Sequence, residues 1–461
     1  MSQNLERCFL FDAVEDSYPV TGVSGEIPAG LRGTYYVNGP ARFRRGGSSY
    51  KHWLDGDGMV CSLRFGDGGA HFTNRFVRTK KLQEEDAAGR FIYRGFGTAF
   101  PGDKLRQDIM LEPPVNVSVY PFAGSVLAFG EQTLPYELDP VTLETRGEFD
   151  FNGKLNHVSP FSAHAKIDPA TGHMLNFGIS YSADKPMANV YEFDAEGNQI
   201  RRRRYPLKYP HSNHDFSITP NHVILFLSPL LMDFGKFWGG VSVMESLCWQ
   251  PELGSRILIA PREAKADAFE VMAGNGYCLH LINCFEDGRR LVVDILELEA
   301  PVYPEYQTIP DLFSTVAPCR PVRFVIDLDS RTLVERRAME YDRTPDFPAI
   351  DTSLSGKDYD DFWILGISAA GRPGRKFFDQ LAHGSWSRGK VHDIYQTGAG
   401  VYLGGEPIFV NGSVICQRLD ANENKAEIVI FEAMNVAKGP VATLPLRHMI
   451  HPGFHASFAY A

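Results

Sequence analysis

The chain has 461 residues, with 46 Lys and Arg against 56 Asp and Glu for a formal charge of −10, and 44% hydrophobic and 12% aromatic residues. That acidic balance excludes a surface built to hold nucleic acid, and a mean hydropathy of −0.20 describes a globular protein, neither disordered nor multiply membrane-spanning. Seven scattered cysteines without a C-x-x-C pair exclude a zinc ribbon or disulfide framework and point to buried thiols in a reducing compartment.

The N-terminal MSQNLERCFLFDAVEDSYPV meets acidic residues early and lacks the basic region and apolar core of a secretory signal, so a cytoplasmic protein is expected. Further on, one local unit recurs: a short alternating apolar segment, a turn on Asp with Pro, Gly, Asn or Ser, and a second short segment. It appears as YELDPVTLETRGEF around Asp139, AKIDPATGHMLNFGI around Asp168, YEFDAEGNQIRRRRY around Asp194 and RFVIDLDSRTLVERR around Asp327. Strands joined by hairpins explain this pattern, because an Asp side chain accepts from the backbone N–H groups that follow it. The first three aspartates lie 29 and 26 residues apart, and the long amphipathic helices of a doubly wound sheet are missing. A degenerate strand–turn–strand repeat of this kind predicts an all-β propeller. No linker composition interrupts it, so residues 1–461 are read as one domain. The tetrad Arg201–Arg204 follows an Asp-Ala-Glu-Gly-Asn turn and is predicted to alternate across an exposed strand. The longest apolar run, from Val223 to Met232, is half a membrane span and is broken by Ser228-Pro229, so no crossing of the membrane is expected.

Four of the 14 histidines stand in aromatic or aliphatic strand-like contexts, where an unpaired charge is costly. They are His164 in FSAHAKIDP, His214 in SNHDFSIT, His280 in YCLHLINCFED and His455 in PGFHASFAY. Separations of 50, 66 and 175 residues exclude a shared helix turn of the H-E-x-x-H kind. If the four converge, they do so from separate blades around a propeller axis. Spacing alone leaves both readings open, four metal ligands or four satisfied core histidines. His211, His222 and His451 lie close to these positions and, with His52, His157 and His173, are read as structural.

The segments RGTYYVNGPARF (32–43), KHWLDGDGMV (51–60), SAHAKIDPATG (162–172), HDFSIT (214–219), H-x-x-N-x-F-E (280–286), GGEPIFV (404–410) and GFHASFA (453–459) resemble, in order and across nearly the whole chain, the carotenoid cleavage oxygenase family. Among its members the motifs are most similar to those of bacterial apocarotenoid oxygenases. The resemblance implies a seven-bladed propeller with a dome of loops and short helices over the metal-bearing face. It also implies one non-haem Fe(II) on the axis, held by His164, His214, His280 and His455, with O2 as co-substrate. Four neutral imidazoles suit Fe(II) but leave its dipositive charge uncompensated, so carboxylates accepting from the ligand rings are expected. The resemblance places them at Glu131 in LAFGEQ, Glu406 in GGEPIF and Asp346 in PDFP. At the last position the family generally has Glu. Asp reaches about one methylene less, which predicts a water bridge or a backbone shift. By the same resemblance Val115, in PPVNVSV, would sit beside the metal.

The implied activity is oxidative cleavage of a conjugated C=C bond into two carbonyl products. The stilbene-cleaving branch resembles Lys-Glu-Asp at the first of these acids, whereas this chain has Gly130-Glu131-Gln132, without a cation to engage a phenolate. The stretch from Lys80 to Gly97, with AGRFIYRGFG, is also more similar to apocarotenoid oxygenases. A long, linear polyene aldehyde or alcohol is therefore the expected substrate. Stilbene or phenylpropanoid cleavage by the same metal site is the alternative, with retinoid-type isomerisation and a non-catalytic polyene-binding propeller behind it. Because polyenes dissolve in membranes, Leu230, Leu231, Met232, Phe234, Phe237 and Trp238, interleaved with Asp233 and Lys236, are expected to form a peripheral landing patch.

Overall fold

The computed structural model describes residues 5–66, 69–181, 185–263, 267–306, 312–341 and 343–461. Their strands form seven antiparallel sheets of four or five strands, taken here as blades 1 to 7 in chain order. Blade 1 runs Ser17–Pro19, Gly69–Phe76, Gly58–Gly66, Gly33–Pro40 and, innermost, the C-terminal Ala456–Tyr460. The innermost strands of blades 2 to 7 are Ser118–Phe122, Lys166–Ile167, Ser217–Ile218, Tyr277–Asp287, Asp346–Ala349 and Val401–Val410. Pairing of Gly33 with Tyr460 and of Val37 with Ala456 joins the two ends of the chain in one blade. This closes the ring.

Apolar side chains alternate along each strand and pack between neighbouring blades. Ile224, Phe226, Ile257 and Ile259 of blade 4 lie in one buried cluster with Leu291, Val293, Ile295 and Phe324 of blade 5. Each such side chain contributes about 1.5–3 kcal/mol on burial, so stability is spread around the ring.

The Asp-centred hairpins form as expected. Asp139 accepts from Val141 and Thr142 N–H (2.9 and 2.8 Å), Asp168 from Ala170 (2.9 Å), Asp194 from Glu196 and Asn198 (3.1 and 2.8 Å), and Asp327 from Ser330 (2.9 Å). Their spacing does not measure the step between blades, however. Asp168 and Asp194 close the first and last hairpins of the same blade 3. Arg201–Arg204 lie on Gln199–Pro206, the outer strand of that blade, where half-buried and exposed residues alternate.

Connections on one side of the ring build a layer of loops and short helices. Helix Lys80–Ala88 starts at Thr79, whose Oγ accepts the Leu82 N–H at 3.1 Å, and stops at Gly89 (φ +63°). Its buried Lys81 lies 2.8 Å from Asp57 and 3.0 Å from Glu85, and Arg45 lies 2.7 Å from Glu85, which fixes the helix against the loop between the blade 1 strands Gly33–Pro40 and Gly58–Gly66. Met244 N–H bonds to the Phe96 carbonyl (2.9 Å), and Arg94 donates to the Phe237 carbonyl (2.7 Å).

That second contact corrects the predicted landing patch. Phe237 is only 4% exposed beneath the Arg94 guanidinium, and Leu230 and Leu231 are buried where Leu230–Met232 pairs with Leu247–Trp249. Trp238, 61% exposed, is the side chain of this segment that reaches solvent, with Met232 and Phe234 half-buried beside it. Among the described residues no helix is long and apolar enough to cross a membrane.

Candidate metal centre

The four histidines converge on the ring axis. His164, His214 and His455 each immediately precede or lie within three residues of the innermost strands of blades 3, 4 and 1, and His280 lies within that of blade 5. One ring nitrogen from each lies within 4.8 Å of all the others. His164 Nε2 and His214 Nε2 are 2.9 Å apart, and His280 Nε2 is buried without a hydrogen-bond partner. Bonds of about 2.1 Å to a shared ion put two nitrogens about 3.0 Å apart at a right angle, and about 3.4 Å apart at a tetrahedral angle. The observed spacing fits two adjacent ligands of an octahedral ion, and a cation would also satisfy the orphaned Nε2.

The three remaining blades supply the carboxylates. Glu131, from the loop after Ser125–Phe129 in blade 2, is 2.7 Å from His214 Nδ1. Asp346 of blade 6 is 2.6 Å from His280 Nδ1, and Glu406 of blade 7 is 3.5 Å from His455 Nδ1. A proton held on Nδ1 by such a carboxylate leaves the Nε2 lone pair facing the axis. Register shifts occur at three of these inner strands, around His280, after Asp346 and between Gly404 and Ile408. Extra residues of this kind bend a strand and re-aim its side chains. Glu406 follows Gly405, whose φ of +68° is ordinary only for glycine.

Asp346 reaches its histidine directly, and the backbone makes up for its missing methylene. Phe347 adopts φ +54°, a conformation uncommon for a side chain of its size, and its N–H donates to Asp346 Oδ1 at 2.8 Å. Tyr306 OH donates to the other oxygen at 3.3 Å. The Phe347 ring then lies 5.7 Å from the His280 ring and meets the His455 ring edge-on at 5.4 Å.

Burial drives the His164 pKa well below its ordinary value, helped by His455 and His214, and burial also lowers that of His455 against the pull of Glu406. Burial likewise opposes a charge on His280, but adjoining Asp346 outweighs it and the pKa rises. Asp346 is itself held below its usual value by His280, despite burial. Neutral His164 and His455 suit cation binding, whereas at His280 a bound cation would compete with the second proton that Asp346 favours.

The remaining predicted positions have other roles. His211 donates to the Ser228 carbonyl (2.8 Å), His451 to the Phe9 carbonyl (3.0 Å) and His52 to the Tyr303 carbonyl (3.0 Å). His222, His173 and His157 pair with Glu286, Glu192 and Glu148. Val115 packs with Tyr36, Val60 and Val119, and it is the Val117 carbonyl that accepts the His455 N–H at 3.0 Å. Sequence reasoning missed Asp215, which lies in the same HDFSIT segment as His214 and 3.5 Å from His164 Nδ1. Its signal was an acid beside a candidate ligand in an otherwise apolar strand context. A cavity of about 350 Å³ lined by the inner strands reaches His164, His280, Asp215 and Glu406.

A family profile described as retinal pigment epithelial membrane protein matches residues 11–460. Apocarotenoid-15,15'-oxygenase of Synechocystis sp. is 30% identical over 480 residues, covering 96% of this chain and 94% of that protein. Isoeugenol monooxygenase of Pseudomonas nitroreducens is 29% identical, covering 94% and 93%. A cobalt-substituted apocarotenoid oxygenase of Synechocystis superposes with a TM-score of 0.92 at 28% identity, over 100% of this chain and 99% of that one. Ordered motifs, a closed seven-bladed ring and four convergent imidazoles therefore have one explanation: the chain belongs to the retinal pigment epithelial membrane protein family, the carotenoid cleavage oxygenases.

Proposed function

We propose that residues 1–461 act as one domain, a non-haem Fe(II) dioxygenase that cleaves a conjugated C=C bond of an apocarotenoid or carotenoid into two carbonyl products. The convergence of four imidazole nitrogens, three of them backed by carboxylates, carries this reading. His164, His214, His280 and His455 would hold the metal, which when bound supplies the activation of O2. Glu131, Asp346 and Glu406 fix the ring tautomers, and their charges offset the ion's. Phe347, buried beside the His280 and His455 rings, and Phe454, stacked on Phe347, keep bulk water from this side of the centre.

Gly130 supports the polyene over the phenol. A Cβ there would already lie 3.1 Å from the Val115 Cα and 3.4 Å from the Thr133 methyl, so a lysine would not enter without movement. The likeness to an isoeugenol monooxygenase favours phenylpropanoid or stilbene cleavage as the second reading. The test is product mass spectrometry after iron-loaded protein, in air and mild detergent, receives equal amounts of a carotenoid, an apocarotenal and a hydroxystilbene. Polyene carbonyl pairs are expected. Aromatic aldehydes would install the second reading, and metal-loaded protein yielding no product would sink both.

We further infer a cytoplasmic protein that meets its lipid-soluble substrate at a membrane surface through Trp238. An exposed indole next to partly buried Phe234 and Met232 suits the interfacial region. Trp238→Ser is expected to reduce co-sedimentation with liposomes several-fold at constant metal content. Unchanged sedimentation would remove the membrane contact from this account.

A further inference from the structure

His164 stands apart from the other three imidazoles. Each of those faces a carboxylate from a blade that supplies no histidine to the cluster, whereas the acid nearest His164 is Asp215, adjacent in sequence to His214 of blade 4. The Asp215 side chain is 2% exposed, with Oδ1 3.5 Å from His164 Nδ1 and 2.8 Å from Lys166 Nζ. Its Oδ2 accepts the N–H of Leu281, the residue after His280, at 2.9 Å. One carboxylate therefore touches the segments of three of the four histidines. Neighbouring bonds tighten the same knot: Ser162 Oγ donates to the His214 carbonyl (3.0 Å) and accepts the His164 N–H (3.1 Å), and Asn176 donates to the His164 carbonyl (3.1 Å).

Lys166 completes the unit. Its ammonium lies over the Phe216 ring at 5.8 Å, and both Lys166 and Asp215 line the axial cavity. Because this pair is internally neutral, Asp215 lies beside His164 without adding a fourth full negative charge. Three unpaired carboxylates against a dipositive ion already leave an excess of one.

We propose that Asp215 is a positioning residue of the metal centre, a fourth carboxylate that orients His164 and ties the segments of His164, His214 and His280 together, with Lys166 compensating its charge. The proposal rests on the metal-binding reading above. It is tested by loading the full-length protein with Co(II) and measuring affinity, visible absorption and melting temperature. Asp215→Asn is expected to lower Co(II) affinity about 10–100-fold, the range typical for loss of a group that supports a metal ligand, and to change the visible spectrum. The variant also strands the Lys166 ammonium, which weakens the fold for an unrelated reason. The double variant Asp215→Asn with Lys166→Met is therefore expected to regain most of the melting temperature while keeping the weakened affinity and altered spectrum. Wild-type affinity and spectrum in either variant would overturn the proposal and leave Asp215 a structural residue. Folded wild-type protein that binds no Co(II) would instead overturn the metal reading, and this inference with it.

Discussion

Replacing His280 with alanine is expected to strip most of the bound metal and abolish alkene cleavage, whereas His211→Ala retains both. The two histidines make a fair pair because each is buried and each has a ring nitrogen in a strong hydrogen bond. They differ in where the second nitrogen points. His280 Nε2 has no hydrogen-bond partner and faces three other imidazoles, so its loss removes one of the four proposed ligands. The affinity should fall by more than the roughly 10–100-fold that follows loss of a carboxylate behind a ligand. His211 spends its Nδ1–H on the Ser228 carbonyl, and deleting it leaves that acceptor unpaired at about 1–3 kcal/mol. The melting temperature of His211→Ala should drop while its metal-to-protein ratio stays unchanged. Elemental analysis with a cleavage assay on both variants decides the matter, and a reversed outcome would overturn the ligand assignment.

A larger side chain at position 346 is expected to weaken the site, even though Glu is the usual family residue. Asp346 already contacts His280 Nδ1 at 2.6 Å, because Phe347 takes φ +54° and the strand register shifts before Ala349. Adding a methylene without reversing that shift pushes the carboxylate past the imidazole and against Tyr306, which now donates to Asp346. Asp346→Glu should reduce metal affinity by about 10-fold, and Asp346→Asn, which keeps the size and loses the charge, by about 10–100-fold. Anaerobic titration with Fe(II) gives both numbers. A Glu variant that binds as well as wild type would mean that the backbone shift is soft and follows the side chain.

The fold class was legible because its signals are local: alternation along strands and Asp side chains that cap the following turn. The blade step was not, because Asp turns close different hairpins in different blades, twice within blade 3. The candidate ligands became legible through whole motifs rather than spacing. Separations of 50, 66 and 175 residues do not encode convergence, which depends on ring closure at Val37 and Ala456. Phe347 carries no sequence mark of its left-handed backbone. Asp215 was in plain view beside His214 but looked like an ordinary acid before a strand. Leu230, Leu231 and Phe237 read as a surface patch because apolar composition does not say what covers it, and here the cover is Leu247–Trp249 and Arg94.

Closure of blade 1 has a consequence for how the protein is made. Strand Gly33–Pro40 is translated long before its partner Ala456–Tyr460 and the adjoining His455. Blades 2 to 6 can pair their own strands as they emerge, but the ring stays open and the four-histidine set stays at three until that final segment docks. Convergence of all four imidazoles therefore waits on the docking of this one strand. Removing Ala456–Tyr460 together with His455 would take away the closing strand of the ring and one of the four converging imidazoles in one stroke.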